Sequence, residues 1–246
     1  MYSFADPRVE LIAHTTLACN GRSPAIEKHM SLDPDAGDMQ QLVEFAGRAC
    51  YQSFHKPNPK TARNKDYIAR TLHEQKHWSI AEHATATFYI TGVSRALTHE
   101  LVRHRHLSYS QLSQRFVDES EANIVIPPAA DKSQAEVVYE TEEFWDDLTG
   151  KLSVAMWHWW MDASLNYETV VNALTGEGLP RKQAREAARA VLPNMIETRI
   201  VVTGNLRAWH EVIERRTAPD ADAEFQQVAG MIRDELKKIA PAIFTD

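Results

Sequence analysis

The chain has 246 residues, 43% of them hydrophobic and 25% charged, a balance typical of folded globular proteins and not of disordered or collagen-like chains. Its formal net charge of −7 disfavours a surface that coats duplex nucleic acid. The sequence contains no apolar run of about 18 residues, the minimum for a membrane-spanning helix, and two cysteines are too few for a disulfide framework or a metal cluster.

The first third of the chain alternates strand and helix patterns. Residues 1–10 have neither a basic start nor an apolar block, so no secretory signal is predicted and a cytoplasmic location is expected. We predict a strand at Arg8–Thr15, a helix at Asp38–Tyr51, a loop at Lys56–Pro59, a helix at Lys65–Lys76 and a strand at His83–Thr91. Leu42, Phe45 and Ala49 would form the buried face of the first helix. Ile68 and Leu72 would point inward from the second.

Capping residues mark the next elements. Ser79-Ile80-Ala81-Glu82 has the S-x-x-E form of a capping box, which predicts a helical start at Ser79. Gly92 is expected to end the strand, and Ser94 to cap a helix that runs to about His106. A connection at Asp118–Glu121 then leads to a short strand at Asn123–Ile126.

The second half of the chain is mostly helical in pattern. We predict a helix over Ala135–Leu174 with a break near Gly150, a helix with Pro180 at its first position that stops before Pro193, a strand at Thr198–Thr203, a helix capped by Asn205 that runs to about Arg216, and a last helix over Asp220–Ile239. Because strands and helices mix without a strict βαβ rhythm, the fold class is α+β and not a doubly wound sheet.

Arginines are concentrated in two segments of this acidic chain. Residues 95–115 contain four arginines and a single acid, Glu100, and residues 181–189 form a second basic cluster. No Gly-rich phosphate loop of the GxGxxG or GxxxxGK[ST] type occurs, so an anionic ligand would be held by side chains. Arginine offers five donors in a fixed fork that matches phosphate and carboxylate.

The first cluster permits three interpretations. On a helix, Arg95, His99 and Arg103 would form one polar stripe, with Leu97 and Leu101 facing the core. Such a stripe can be a solvated basic face or an anion site. A metal site that uses histidines of this segment is disfavoured because the arginines would repel the ion.

Arg103-His104-Arg105, followed by seven residues and Ser113, resembles the RHR-x7-S signature of the flavin-dependent thymidylate synthases. The resemblance extends from about Cys50 to Arg216. It includes His77, Ser79 and Glu82; Arg95 and Glu100; Lys182, Arg185 and Arg189; and Asn205, Arg207 and Arg216.

Membership of that family would imply a mixed or antiparallel sheet packed with several helices in a single catalytic domain over residues 1–246. It implies the reductive methylation of dUMP to dTMP, with methylenetetrahydrofolate as carbon donor, NADPH as reductant and FAD as redox carrier. It also implies a homotetramer with shared active sites, small-molecule partners, and no role for nucleic acid, membrane or metal.

The resemblance also implies residue roles. Arg216 would be catalytic, stabilising negative charge on the uracil ring. The residues expected at dUMP are Arg95, Glu100, Arg103, Gln111, Leu112, Ser113, Gln114, Arg115, Arg189 and Arg216. The residues expected at FAD are Ser79, Arg103, His104, Arg105, Gln111, Asn205, Leu206, Arg207 and Glu211, with His77 near the flavin and folate.

The chain departs from the family pattern at four positions. Phe116 stands where many members have tyrosine, and Glu100 where some have glutamine. Glu211 replaces a common histidine or asparagine, and Asp220 stands where many members have a histidine. These departures put individual contacts in question and leave the expected reaction unchanged.

Other interpretations use different residues. A thiolate mechanism would need Cys19 or Cys50, but neither has a basic partner in sequence, and Cys50 is expected to be a small core residue. An RNA-binding module would use the same arginines with Tyr109 and Phe116 as stacking groups. An oligomeric scaffold would use Trp157, Trp159 and Trp160, although aromatic residues on a helix are more often core.

Overall fold

The computed structural model describes residues 4–55, 58–139 and 148–245. These residues form two compact units. Unit 1 comprises residues 4–8, 90–103, 110–139 and 148–200, and unit 2 comprises residues 9–55, 58–89, 104–109 and 201–245.

Six strands form two sheets in the described residues. The strands are β1 (Arg8–His14), β2 (Thr85–Ser94), β3 (Leu107–Gln111), β4 (Glu136–Tyr139), β5 (Leu148–Lys151) and β6 (Glu197–Asn205). The larger sheet has the order β1-β2-β6-β3. In the smaller one β4 pairs antiparallel with β5, with Glu136 opposite Lys151 and Tyr139 opposite Leu148.

Nine α-helices occur in the part of the chain that the structure describes. They are α1 (Pro24–His29), α2 (Asp38–Tyr51), α3 (Asn64–Ile68), α4 (Arg95–Leu101), α5 (Pro128–Asp131), α6 (Leu152–Gly176), α7 (Arg181–Ala188), α8 (Leu206–Arg216) and α9 (Ala223–Ile239). Short 3-10 helices occupy Ala18–Gly21, Pro59–Thr61, Trp78–His83 and Arg189–Val191, and a π-helical turn occupies Ala69–Glu74. The predicted α+β fold, an antiparallel sheet packed with several helices, is confirmed. No helix among the described residues is both long and apolar enough to cross a membrane.

The core of unit 2 is built around Trp209 of α8. Its indole is fully buried and meets the ring of Phe88 edge-on, with 5.1 Å between centroids. The indole N–H donates to the carbonyl oxygen of Ala86 at 3.0 Å, so the only polar group of this side chain is paired. Buried aromatic residues contribute much of the hydrophobic stabilisation of a core, and this one fixes α8 against β2.

The core of unit 1 contains a cluster of Ile124, Ile126, Trp160 and Ile196. Of the three neighbouring tryptophans of α6, Trp160 is buried, Trp157 packs against the cluster and Trp159 is 45% exposed. The expectation that these aromatic residues are core is therefore confirmed for the first two and wrong for Trp159.

Several predicted boundaries agree with the structure. The helix predicted at Asp38–Tyr51 is α2, the strand predicted at Arg8–Thr15 ends one residue earlier, and Ile68 and Leu72 are fully buried. Asn205 caps α8 as predicted, its side-chain oxygen accepting from the backbone N–H of Ala208 at 2.8 Å.

The buried face of α2 was predicted wrongly. Leu42, Phe45 and Ala49 are only partly buried, whereas polar residues of the same helix lie inside. Arg48 pairs with Glu44 at 2.7 Å and donates to the carbonyl oxygen of Thr61 at 2.9 Å. These buried polar groups are paired, and such pairing allows them to stay inside. Cys50, predicted to be core, is exposed because it lies in the last turn, after the last buried residue of α2.

The long helix predicted over Ala135–Leu174 begins only at Leu152. Residues 136–139 and 148–151 are strands, and residues 140–147 of the predicted helix lie outside the described residues. The strand predicted at Asn123–Ile126 is reduced to isolated bridges from Ile124 to Phe4 and to Ile196. Pairing cannot extend past Ile126, because Pro127 and Pro128 have no N–H to donate.

The helix predicted to continue to His106 ends at Leu101, so Arg103 does not extend the stripe of Arg95 and His99 on α4. The chain instead forms β3, where Leu107 is buried and Ser108 and Ser110 are exposed. That alternation of buried and exposed residues is the period of a strand. The capping box is also absent: Ser79 lies inside the 3-10 helix Trp78–His83 and caps nothing.

Gly92 does not end β2, contrary to prediction. It stays within the strand at φ +67°, a left-handed conformation that glycine adopts readily. A Cβ at this position would overlap the carbonyl oxygen of Asp6. Glycine is thus required here by both conformation and close approach, two residues before Ser94 begins α4.

Candidate functional site

The position of Arg95 in unit 1 is set by the start of α4. The hydroxyl of Ser94 accepts from the backbone N–H of Leu97 at 3.0 Å, which satisfies one of the unpaired donors of the first turn. The backbone N–H of Arg95 donates to the carbonyl oxygen of Ile196 at 3.1 Å, and Nη1 reaches the carbonyl oxygen of Leu112 at 3.5 Å. Arg95 is thus held both at its backbone and at its guanidinium.

Arg95 is electrostatically strained. Its side chain is partly buried, and burial lowers its pKa; the positive charge of Arg189 acts in the same direction, and the carboxyl of Glu119 acts against them. Arginine remains charged in any protein environment. Two guanidinium groups that destabilise one another create a place where an anion is favoured.

The end of β3 and the turn that follows it are held by hydrogen bonds. The amide nitrogen of Gln111 donates to the hydroxyls of Thr98 at 2.9 Å and Thr198 at 3.3 Å. The backbone N–H groups of Phe116 and Val117 both donate to the carbonyl oxygen of Ser113, closing a tight turn. The amide of Gln111 is therefore held between one residue of α4 and one residue of β6.

Ion pairs involve several arginines of the two basic clusters. Arg115 pairs with Glu186 at 2.7 Å between Nε and Oε2. Arg185 donates to Asp118 and to the carbonyl oxygen of Phe116, each at 2.7 Å. Lys182 lies 4.8 Å above the ring of Phe116, a cation–π contact. Glu186, the only acid of α7, thus pairs with Arg115 and not with an arginine of its own helix.

In unit 2 the end of α8 meets the signature segment. The Nε–H of Arg216 donates to Nε2 of His104 at 3.0 Å, and the guanidinium carbon lies 4.8 Å from the centroid of the Phe225 ring. The imidazole of His104 contacts the same ring edge-on at 6.1 Å. The hydroxyl of Tyr109 donates to the backbone oxygen of His104 at 2.7 Å, and burial raises the pKa of Tyr109 to about 12. Arg216 and His104 are thus held in fixed orientations.

A cleft of about 430 Å³ is also present in unit 2. Its lining residues are Lys76, His77, Trp78, Ser79, Arg207, His210 and Glu211. Trp78 and His210 are stacked almost parallel, with 3.6 Å between centroids and 9° between planes. Burial lowers the pKa of His210, which favours the neutral ring. The cleft therefore has a flat aromatic wall.

Arg207 stands at the polar side of this cleft. Its Nη1 pairs with Glu82 at 2.7 Å and its Nε lies 3.4 Å from Glu211. The hydrogen bond that Arg207 donates to Glu82 raises the pKa of Arg207. The carboxylates of Glu82 and Glu211 thus compensate the positive charge of this guanidinium. Arg207 can still donate hydrogen bonds.

The structure distributes the predicted residues between the two units. Unit 1 holds nine of those expected at dUMP: Arg95, Glu100, Arg103, Gln111, Leu112, Ser113, Gln114, Arg115 and Arg189. Unit 2 holds Arg216 and seven of those expected at FAD: Ser79, His104, Arg105, Asn205, Leu206, Arg207 and Glu211. Ser79, Arg207 and Glu211 line one cleft, and His104 contacts Arg216. The side chain of Asn205 serves as the cap of α8.

Sequence analysis did not predict the parts that five residues play here. These are the stacking of Trp78 on His210, the buried carboxyl of Glu119, the hydrogen bond of Tyr109 and the contact of the Phe225 ring with Arg216. Trp78 lies between His77 and Ser79, so its neighbours were a usable signal. For Phe225 no local pattern exists, because its partner Arg216 belongs to another helix. In the described ranges no group of three or more His, Cys, Asp or Glu residues is arranged to hold a metal ion.

Comparison with known proteins decides the family. A family model described as "Thymidylate synthase complementing protein" matches residues 34–242. The chain is 47% identical over 239 residues to the flavin-dependent thymidylate synthase of Mycobacteroides abscessus, which covers 97% of this chain and 89% of that protein. It is 44% identical over 252 residues to that of Mycobacterium tuberculosis, covering 100% of this chain and 92% of that protein. The chain belongs to the flavin-dependent thymidylate synthase family.

Solved structures agree with this assignment at the level of fold. A crystal structure described as thymidylate synthase X from Helicobacter pylori with FAD and dUMP superimposes with a TM-score of 0.60 at 19% identity, covering 98% of this chain and 100% of that one. A second structure of the Helicobacter pylori enzyme, complexed with FAD and dUMP, gives a TM-score of 0.59 at 20% identity and covers 96% and 99%. The flavin-dependent thymidylate synthase fold is therefore shared.

The unit 2 cleft fits the planar part of a flavin. The parallel rings of Trp78 and His210 present a flat surface, and Ser79 supplies a hydroxyl at the same cleft. Arg207 is less suited to a flavin phosphate, because Glu82 and Glu211 already compensate its charge. In this member of the flavin-dependent thymidylate synthase family, the cleft therefore suits a ring system better than a diphosphate.

Proposed function

We propose that this chain, as one catalytic domain over residues 1–246, converts dUMP to dTMP with methylenetetrahydrofolate as carbon donor, NADPH as reductant and FAD as redox carrier. The observation that carries the proposal is the contact between Arg216 and His104 of the signature, 3.0 Å between Nε and Nε2. It joins the expected catalytic arginine to the motif by which the family is recognised.

Arg216 is proposed to make C5 of uracil nucleophilic. A cation beside the carbonyl–imide edge of the ring stabilises the negative charge that develops there, so electron density reaches C5. The bond to His104 and the contact with Phe225 fix the plane of the guanidinium. A prearranged cation needs no reorganisation when the charge develops, and this is the main source of such catalysis.

The phosphate of dUMP is proposed to bind in unit 1. The positive charges of Arg95 and Arg189 repel each other, and a bound anion would reduce this repulsion. Arg115 can join them by exchanging Glu186 for the phosphate, since its pair with Glu186 is about 41–45% exposed on both sides and therefore weak. The turn at Ser113 would supply its hydroxyl and the backbone N–H groups of Ser113 and Gln114, because the N–H of Leu112 already donates to the carbonyl oxygen of Arg199 at 2.9 Å. Leu112, Gln111, Glu100 and Arg103 would lie beside the nucleotide.

A thiolate mechanism is the less favoured alternative. Cys19 and Cys50 are both exposed free thiols, and neither appears in the clusters around Arg95 or Arg216. Arg216, by contrast, is partly buried and oriented by two aromatic partners. We therefore propose arginine-based polarisation of the uracil ring without covalent addition of an enzyme thiol.

FAD is proposed to be held by Trp78, His210, Ser79 and Arg207 at the cleft, with His104, Arg105 and the Leu206 backbone as further contacts, and Arg103, Gln111, Asn205 and Glu211 completing the expected set. When bound, the flavin supplies the reducing equivalents that turn the transferred one-carbon group into a methyl group. The chain's part is to bind and orient the ring and to exclude water from it.

A homotetramer is proposed on family grounds. Helix α6 offers apolar surface on two sides for such an assembly, with Trp159 (45% exposed) on one side and Met161 (38%) and Leu165 (43%) on the other. Light scattering of the purified protein at several concentrations tests this proposal. A monomer at all concentrations would contradict it.

Anaerobic NADPH oxidation, with and without dUMP, tests the proposed reaction. The flavin-loaded protein should oxidise NADPH and, with dUMP and methylenetetrahydrofolate present, should yield dTMP that is identified by mass. A colourless protein that takes up no FAD, or NADPH oxidation that never yields dTMP, would refute the proposal.

A further inference from the structure

Glu119 is a buried carboxyl in unit 1 to which the proposed reaction assigns no role. The residue is 3% exposed, and its Oε1 has no hydrogen-bond partner within the described part of the chain. Leaving a buried acceptor unpaired costs about 1–3 kcal/mol, and more for a charged group. A carboxyl in this position therefore requires an explanation.

The backbone around Glu119 is firmly held. Asp118 accepts from the N–H and hydroxyl of Ser120 and from Arg185. The carbonyl oxygen of Glu119 accepts from the N–H of Ala122 at 3.2 Å, and the hydroxyl of Ser164 donates to the carbonyl oxygen of Ser120 at 2.5 Å. Because both flanks are fixed, the buried position of the carboxyl follows from the fold.

Four charged groups act on this carboxyl. Arg95 and Arg199 stabilise its ionised form, whereas Asp118 and Glu197 destabilise it. Burial is the largest influence and raises the pKa of Glu119 to about 7. Arg95, in turn, is affected by Glu119 and Arg189. Glu119 is thus the acid whose charge stabilises the guanidinium of Arg95, and Arg189 is the cation whose charge opposes it.

We propose that Glu119 is the internal counter-ion of Arg95, ionised while the anion site is empty, and that it takes up a proton from solvent when a phosphate group binds at Arg95 and Arg189. Glu119 is therefore a positioning residue that acts through Arg95. This inference rests on the proposed function, because it takes the dUMP phosphate as the anion.

The exchange follows from charge balance. In the free protein the carboxylate compensates the guanidinium of Arg95, which is partly buried and close to Arg189. A phosphate dianion at the two arginines would provide that compensation and would also repel the carboxylate. Since burial already disfavours the ionised form of Glu119, the added anion shifts the equilibrium to the protonated acid.

Isothermal titration calorimetry of the flavin-loaded protein with dUMP, in buffers of different ionisation enthalpy, counts the protons that accompany binding. At pH 7.5 a carboxyl with a pKa near 7 is mostly ionised, so we expect uptake of between about half and one proton per nucleotide. Phosphate monoesters have a second pKa of about 6 and contribute little at this pH. Glu119→Gln should abolish the uptake, and the exposed neighbour variant Glu121→Gln should keep it.

The pH dependence of affinity provides a second readout. Between about pH 7 and pH 8 the dissociation constant of dUMP should rise up to tenfold for the natural protein and stay nearly constant for Glu119→Gln. Binding without proton uptake in the natural protein, or uptake that persists in Glu119→Gln, would overturn the inference. If the variant does not fold, the proton count of the natural protein alone decides.

A titration with inorganic phosphate separates this inference from the proposed function. If dUMP fails to bind the natural protein, the proposed function is wrong, and a proton-linked phosphate signal that depends on Glu119 would still support the anion site. If dUMP binds and neither ligand causes proton uptake, the inference about Glu119 fails and the proposed function stands.

Discussion

Nε of Arg216 lies 3.0 Å from Nε2 of His104, although 112 positions separate the two residues in sequence. In this contact the arginine donates, so Nε2 of His104 must be the unprotonated nitrogen of its ring. The imidazole therefore serves as a fixed acceptor for the guanidinium. The signature histidine thus orients the arginine that we propose to be catalytic, in addition to its expected place at FAD.

Replacing Arg216 tests this relationship. Arg216→Ala should lower kcat for dTMP formation by about 10²–10³-fold, the usual loss for removal of one group that stabilises developing charge. Flavin content and the circular dichroism spectrum should stay close to those of the natural protein. Arg215→Ala is the matched control, because Arg215 is the adjacent exposed arginine of α8. Equal turnover by the two variants would contradict the assignment.

The stacked rings of Trp78 and His210 lead to a prediction about cofactor affinity. Stacking of this kind is worth about 0.5–1.5 kcal/mol beyond area burial, so Trp78→Ala should weaken FAD binding up to about tenfold, measured by flavin fluorescence quenching. Trp78→Phe keeps an aromatic ring and should retain most of the affinity. Tyr51→Ala removes an exposed aromatic residue of α2 and controls for the loss of an aromatic side chain. Unchanged affinity in Trp78→Ala would remove the cleft from the flavin site.

Glu119 should make stability depend on pH. Burial raises its pKa from 4.5 to about 7, so between these values the folded protein binds more protons than the unfolded chain. The stability that comes from the protonated acid is present below about pH 4.5 and is lost as pH rises to 7, a total of about 3 kcal/mol.

Glu119→Gln, which does not titrate, should therefore gain stability relative to the natural protein between pH 5 and pH 8. Urea unfolding at the two pH values measures this change. Glu121→Gln removes an exposed carboxyl and should follow the natural protein at both. Parallel curves for Glu119→Gln and the natural protein would show that Glu119 ionises at its ordinary pKa.

Gly92→Ala should destabilise the protein by about 2–3 kcal/mol, from the left-handed conformation at φ +67° and the overlap with Asp6. Gly230→Ala in α9 is a contrasting control. A Cβ there meets no atom within 4 Å, and alanine is the better helix former by about 1 kcal/mol. Thermal unfolding should show a lower Tm for the first variant and an equal or higher Tm for the second.

The sequence was sufficient to predict where a helix begins when a single capping residue determines its start. Asn205 and Ser94 could be predicted as caps because their side chains bond to N–H groups three residues away. The boundaries of α2 followed from its own residues, but its buried face did not. Arg48 and Glu44 lie inside because Asn64 and Thr61, from another part of the chain, complete their hydrogen bonds.

The residues of the candidate site could be predicted from the sequence, but the partners that they contact could not. The signature directed attention to Arg103, His104 and Arg105, but the early end of α4 and the formation of β3 depend on pairing with β6. The partners of Arg115 and Arg216, which are Glu186 and His104, come from distant stretches. Counts of charged residues alone could not single out these two pairs from the many other combinations that the sequence offers.

Helix α8 begins at the Asn205 cap and ends at Arg216. Each residue of an α-helix advances 1.5 Å and rotates about 100°. One inserted or deleted residue between these two positions would swing the guanidinium roughly a quarter turn or more away from the imidazole that orients it. The number of residues in this helix therefore sets the position of the proposed catalytic group, and we expect length variation among homologues to be confined to other segments.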